Sequence, residues 1–286
     1  MEFLTAALGN ISIAKDQNQA GQPCCVVSTG SEFLKGSIEC LQGADVLALD
    51  CEGVNLGRGG SVCIVQLATR DRCFLFDVNE LTPESDVATA LKPILENKNI
   101  VKVIHDCKQD ADALLHLLGI TLVNVHDTQC WDVEIRNESH NLNNTLTAYG
   151  IETNSVRDGS VYKTNPAFWA TRPLTPEMIA WASGDVTALF QLYELQRTAA
   201  TEAQAEAAKL SSEYNSRNVA SMKLEIVYIN PENMGWFIGK GGSNVKRLTQ
   251  RLAGCIHVST THVPGQIHLY VRDKKALKTT LKLLEK

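Results

Sequence analysis

No stretch of the 286 residues comes near the run of roughly 20 apolar residues that a membrane-spanning helix needs. The first residues, Met1-Glu2-Phe3-Leu4, carry neither the basic start of a secretory signal nor the Arg-rich character of a transit peptide. No Cys-x-x-Cys pair occurs, and the nine cysteines are scattered apart from the adjacent Cys24 and Cys25. This argues against a zinc module and a disulfide framework. A reducing intracellular compartment is expected, cytoplasmic ahead of nuclear, with no membrane partner. What remains is an ordinary globular composition, 44% hydrophobic and 21% charged, on a chain comfortable for two domains.

Charge divides those two domains. Residues 222–286 hold 11 Lys/Arg against 4 Asp/Glu, a net of +7; the rest holds 16 against 28, a net of −12. A basic tail on an acidic body points to a polyanion-binding module joined to something else.

Along the body, residues 1–22 are polar and aperiodic, a loose lead-in. Cys24 to Ser28 reads as a short strand and Ser31 to Leu41 as a helix. Val46 to Leu49 is an apolar run that reads as a buried strand and ends in two acids, Asp50 and Glu52. Two residues apart on a strand, they project from one face and repel each other. They are tolerable together if a cation or a shared proton neutralises them. Hard carboxylate oxygens favour a divalent metal; the bland alternative is a turn at Asp50 with Glu52 solvated. Val62–Thr69 and Arg72–Val78 follow as a hairpin, an antiparallel start to a mixed sheet. Then Asp86–Glu96, Ile100–Ile104, Asp110–Leu118 and Thr121–Val125 alternate helix and strand, which implies parallel strands covered by helices. Thr175-Pro176-Glu177 opens a further helix with a cap residue, Pro at its first position and an early acid. The run Thr198–Ser212 is expected to be an exposed helix leading into a linker over 198–221.

Two more acids bear on the first pair. Asp110 falls in the first turn of its helix, where the bland role is an N-terminal charge. Asp185 lies mid-helix with Trp181 at i−4, among Ala180, Ala182, Ser183 and Gly184, small residues that permit close backbone approach. A mid-helix acid among core residues needs a partner.

On these motifs the chain resembles the DEDD 3′–5′ exonucleases over about residues 24–197, in particular the RNase D-like branch. The motifs are Leu49-Asp50-Cys51-Glu52-Gly53, then Val103-Ile104-His105-Asp106-Cys107-Lys108-Gln109-Asp110, then Asp127-Thr128-Gln129. Arg172-Pro173-Leu174-Thr175 ahead of Trp181-Ala182-Ser183-Gly184-Asp185-Val186 completes the set. The run Glu52 to Arg58 looks most like the Egalitarian-like subgroup. The resemblance implies a ribonuclease H-like mixed α/β sheet over residues 23–197. It assigns Asp50, Glu52, Asp110 and Asp185 to two Mg²⁺ or Mn²⁺ ions, which roughly 4 Å apart serve in-line hydrolysis of a phosphodiester. One position departs from the pattern. The branch carries Tyr four residues before its last Asp, and the related branch has His five before; here those positions are Trp181 and Ala180. An indole N–H donates a hydrogen bond but can neither accept one nor take a proton.

The basic tail, residues 222–286, reads as strand, short helix, helix, two strands and a last helix. It resembles a type I KH domain, a small α+β fold. Ile238-Gly239-Lys240-Gly241-Gly242 matches its GxxG loop, and Lys246 follows on the next helix. Glycines let a nucleic-acid backbone approach, with amides and Lys240 facing phosphate. The alternative is a KH-like fold used for protein contacts. The whole chain is thus expected to be a metal-dependent 3′–5′ exonuclease on single-stranded RNA, with DNA open. The other reading is an RNA-binding adaptor whose nuclease fold has weakened turnover.

Overall fold

The computed structural model describes residues 23–28, 32–79, 81–240, 243–245, 247, 256–260, 264–272 and 277–278. It divides into two compact units, residues 1–217 and 218–286. Among the described residues no helix is long and apolar enough to cross a membrane.

The first unit is built on a six-stranded mixed sheet, ordered β1-β4-β3-β2-β5-β6. β1 (Cys24–Val27) pairs parallel with β4 (Cys73–Asp77). β2 (Val46–Val54), β3 (Ser61–Ala68) and β4 form the antiparallel meander expected from their short connections. β5 (Val101–Ile104) and β6 (Val125–Asp127) add parallel strands beside β2. Val46 to Leu49 and Val62 to Val65 are buried without alternation, because both faces of the sheet are covered.

The expected strand Thr121–Val125 is displaced. Asn124 has φ 53°, and the ladder begins only after this left-handed residue. Ile120 and Leu122 are buried ahead of it outside the ladder, which is why the apolar run resembled a strand. β2, in turn, runs through Glu52 to Val54, with a bulge between Glu52 and Gly53. A side chain at Gly53 would start 1.9 Å from the Ser61 carbonyl oxygen, so the bulge requires glycine there.

Helices cover the sheet: α1 (Glu32–Gln42), α2 (Asp86–Leu95), α3 (Lys108–Leu118), α4 (Thr128–Arg136), α5 (Leu142–Ala148) and the single turn α6 (Val161–Thr164). α7 (Pro176–Ala199) is the long one, and Thr175 caps it, its Oγ1 accepting from the Met178 N–H at 3.3 Å. The expected exposed helix is instead a packed one. α8 (Glu202–Glu213) buries Ala208 and Ser212, and the Ser212 hydroxyl accepts from the Asp127 N–H at 3.2 Å. Its inward stripe is made of small residues, which carry little hydrophobic signal in a sequence. A turn of π-helix, Tyr214–Val219, follows it.

The Gly-rich turn after β2 is pinned to α3 by a buried ion pair. Asp112, 1% exposed, accepts from the Arg58 backbone N–H at 2.7 Å and from Nε at 2.9 Å, and it also meets Nη2. Removing one partner of such a pair leaves an uncompensated buried charge. We expect Arg58→Ala to cost about 3 kcal/mol in urea denaturation of the full chain. A loss below about 0.5 kcal/mol would place the pair among ordinary surface bridges.

The second unit carries an antiparallel sheet ordered β7-β9-β8, from β7 (Lys223–Tyr228), β8 (Ile256–Thr260) and β9 (Gln266–Val271). Phe237, Ile267, Leu269 and Val271 form its buried core. A 3₁₀ turn, Pro231–Asn233, runs into α9 (Met234–Ile238), which stops at Gly239 with φ 73°. Lys240 is exposed. Gly241, Gly242 and Lys246 lie outside the described residues, as do most residues of the two later helices expected in the tail.

Candidate metal centre

The site forms where β2, the start of α3 and the middle of α7 meet. Asp50 and Glu52, on one face of β2, and Asp185, on α7, bring one carboxylate oxygen each within 4.8 Å of one another. The first two are partly buried; Asp185 is fully buried. The turn-and-solvent reading of Asp50 and Glu52 is therefore excluded. Asp110 stands beside this trio and not within it. It is 5% exposed, and its Oδ1 accepts from the Cys51 N–H at 2.9 Å, between the two acids of β2. Structure thus converges three of the four sequence-assigned acids on one point, with the fourth clamped to the strand that bears two of them.

Electrostatics show what such crowding costs. Burial, then the charges of Asp110 and Asp185, push Asp50 well above the usual carboxylate range. Burial, then Asp50, does the same to Glu52, and burial raises Asp110 to about 7. Asp185 is raised by burial but drawn back by Arg157, Asn154 and Trp181. Protonation or a bound cation would relieve each of them.

Asp185 is the most heavily hydrogen-bonded of the four. Asn154 Nδ2 donates to its Oδ1 at 2.9 Å and to the Trp181 carbonyl at 2.9 Å. Arg157 Nη1 and Trp181 Nε1 both donate to its Oδ2, at 3.0 Å each. Asn154 can approach only because residue 184 is glycine: a Cβ there would lie 2.7 Å from its Nδ2. Trp181 is both a site residue and a core residue. It is 3% exposed, with its ring 5.4 Å from that of Trp169, 5.9 Å from Phe168 and 6.0 Å from Tyr162. Its one polar atom is spent on Asp185.

Other motif residues turn out to be architectural. Asp127 ends β6 and accepts from the N–H groups of Asp106, Cys107 and Gln129 at 2.9, 3.1 and 3.0 Å. Burial opposes its charge, but the Lys108 ammonium and these donors outweigh burial and hold its pKa low. It thereby fixes the turn that delivers Asp110. Arg172 is bidentate to Asp77, at 2.6 Å to each oxygen, and donates to the Trp169 carbonyl at 2.8 Å. That fork ties the loop before α7 to the end of β4.

Asn154, Arg157, Arg58 and Asp112 were not singled out from the sequence. Two of them sit in an irregular loop where no period points inward, and the spacing of the pair Arg58–Asp112 says nothing of contact.

Two partly buried carboxylates on the sheet and one fully buried on the helix against it form a group that could hold a metal ion. The chain belongs to the 3′–5′ exonuclease family, which it matches over residues 25–197. It is 36% identical over 161 residues to the piRNA biogenesis protein EXD1 of Mus musculus, covering 51% of this chain and 28% of that protein. To the exosome complex exonuclease RRP6 of Saccharomyces cerevisiae it is 31% identical over 206 residues, covering 72% and 26%. It also resembles the crystal structure of Trypanosoma brucei RNase D in complex with RNA U12. That match has TM-score 0.58 and 27% identity, over 68% of this chain and 70% of that one. The chain spans little more than a quarter of the length of those two curated relatives.

Proposed function

We propose that the chain is a divalent-metal-dependent 3′–5′ exonuclease acting on single-stranded RNA, and that residues 222–286 are a KH-type module gripping that RNA. The observation that carries the nuclease reading is the convergence of Asp50, Glu52 and Asp185 within 4.8 Å. The donor set fits hard divalent cations such as Mg²⁺ or Mn²⁺: all oxygen, all anionic, and short of positive charge when alone. Asp50, Glu52 and Asp185 would hold the ions, with Asp110 in the adjoining position. Ions held there by these residues would supply Lewis acidity, to lower the pKa of a water and to stabilise a leaving 3′ oxygen.

The chain's own residues do the rest. Asn154 and Trp181 fix the rotamer of Asp185, as outer partners of metal ligands do. The Cys51 N–H fixes Asp110 against β2. The indole of Trp181 cannot receive a proton, so position 181 lacks the hydroxyl that the branch normally provides there. That observation favours a second reading, an RNA-binding adaptor with weak turnover. DNA is the substrate that the same geometry leaves as an arm of the test. A reducing intracellular compartment belongs to this reading.

Affinity for RNA is attributed to the basic tail, through Ile238, Gly239, Lys240, Gly241, Gly242 and Lys246. The test uses the full chain with Mg²⁺ or Mn²⁺ and end-labelled single-stranded RNA and DNA. Expected is stepwise shortening from the 3′ end of RNA. Lys240→Asp combined with Gly241→Asp should weaken RNA binding and flatten its dependence on salt, because phosphate contacts release counterions. Endonucleolytic products would sink the exonuclease reading. Unchanged affinity and salt slope in the double variant would sink the role of the tail.

A further inference from the structure

Asp185 Oδ2 already accepts two hydrogen bonds, from Arg157 Nη1 and from Trp181 Nε1, at 3.0 Å each. A carboxylate oxygen has two lone pairs in its plane, so both are engaged. Oδ1 holds a third donor, Asn154 Nδ2. Oδ1 keeps one lone pair, but Oδ2 cannot ligate a cation unless one of its two donors gives way. The three donors differ in how easily they can do so. Trp181 is wedged among Phe168, Trp169 and Tyr162. Asn154 is buried, at 4% exposed, and bound at both ends, its Nδ2 to α7 and its Oδ1 to the Val156 N–H at 3.2 Å. Arg157 is the least enclosed: its side chain is 36% exposed and leaves an irregular loop ahead of α6. It is also the cation whose field reaches Asp50 and Glu52 as well as Asp185.

We propose that Arg157 is a resident counter-ion of the carboxylate trio, and that a divalent ion binds by displacing its guanidinium from Asp185. The inference rests on the metal-centre reading given above and adds a competitor to it. Without metal, the guanidinium offsets part of the repulsion among Asp50, Glu52 and Asp185 and keeps the site assembled. A cation seated on Oδ2 would meet the guanidinium at the same lone pairs, and the more exposed Arg157 side chain is the one expected to turn toward solvent. Arg157 in this role is not a ligand and not a catalytic group. It sets the concentration at which the site fills.

An orienting role and a competing role predict opposite signs. If Arg157 merely aimed Asp185, its loss would weaken metal binding. If it competes, its loss tightens binding. The test is a Mn²⁺ titration of the full chain, without RNA, followed by electron paramagnetic resonance of free Mn²⁺. Arg157→Gln, which keeps a donor but not the charge, is expected to bind Mn²⁺ ~10-fold more tightly than wild type. Arg157→Lys keeps the charge and should stay within ~3-fold. Melting without metal should fall in Arg157→Gln and recover once Mn²⁺ is added, since only the metal-free state loses its counter-ion.

Wild type serves as a second measurement that needs no stable variant. In ¹⁵N spectra of the arginine side chains, with Arg157→Lys for assignment, the Arg157 resonance should move on saturation with Mg²⁺. Unchanged or weaker Mn²⁺ binding in Arg157→Gln, or an Arg157 resonance that ignores saturating Mg²⁺, overturns the displacement. Wild type and Arg157→Gln both failing to bind Mn²⁺ would overturn the metal centre itself.

Discussion

Asp50→Ala is expected to remove divalent-dependent cleavage, a fall of ~10³-fold or more, while leaving the protein folded. Metal-centred charge stabilisation is worth several kcal/mol at the transition state, and each 1.36 kcal/mol is tenfold in rate. Asp50 supplies one of the three convergent oxygens and stands two residues from Glu52. Its loss also relieves repulsion, so stability should move opposite to activity. The sign with pH follows from Asp50 itself, whose folded pKa burial, then Asp110 and Asp185, push well above its unfolded value. The folded state then binds the proton more tightly. This contribution to stability is complete below about pH 4 and is lost as pH rises through the raised folded pKa. His126 runs the other way: burial lowers it to about 4, so it withdraws stability as pH falls below about 6.5. The absolute melting curve mixes the two, and the difference between variant and wild type separates them. Without metal, Asp50→Ala should melt above wild type by a margin that widens from pH 5 to pH 8. Adding Mg²⁺ should raise wild type and not the variant. Wild-type cleavage rates in Asp50→Ala, followed with labelled RNA, would remove Asp50 from the site.

Elements with a strong local signature were legible in the chain. β2 announced itself by an apolar run, and α7 by Thr175-Pro176-Glu177, because cap chemistry and double-sided burial leave marks within a few residues. The resemblance to the exonuclease family groups Asp50, Glu52, Asp110 and Asp185, and the fold brings three of these four to one point. β6 starts four residues later than expected, since burial of Ile120 and Leu122 gives the same apolar pattern whether or not a ladder forms. α8 looked exposed because Ala208 and Ser212 make a packed face without large side chains. Arg157 and Asn154 were invisible for a different reason. They reach Asp185 across 28 and 31 residues from a loop with no period, and only the tertiary fold sets that distance. Trp181 fell between these cases. Its spacing admitted a core role or a site role, and the indole fills both by packing its ring inward and turning its N–H to Asp185.

That double role makes Trp181→Tyr the most informative gain-of-function change. In wild type the indole N–H is committed to Asp185, and nothing at position 181 can accept a hydrogen bond from water. A phenol at the same place is smaller than the indole and offers a hydroxyl that both donates and accepts. A positioned acid–base group is typically worth ~10²–10⁴-fold, and part of that range is the expected gain in turnover. RNA affinity should change little, because the basic tail is untouched. The gain has a structural cost: the smaller ring leaves a gap against Trp169 and Phe168, so stability should fall by ~1–3 kcal/mol. Tyr162 supplies the control. Its ring lies 6.0 Å from that of Trp181, its hydroxyl accepts from Trp169 Nε1 at 2.9 Å, and burial and then Glu52 oppose its ionisation. If Trp181→Tyr gains nothing while Tyr162→Phe loses activity, Tyr162 already supplies the hydroxyl and position 181 is free to be tryptophan. If Trp181→Tyr binds RNA as wild type does and neither protein cuts it with Mg²⁺ or Mn²⁺, the weakness does not lie at position 181. The RNA-binding adaptor then becomes the better account of a site whose acids are assembled and whose Asp185 is already occupied.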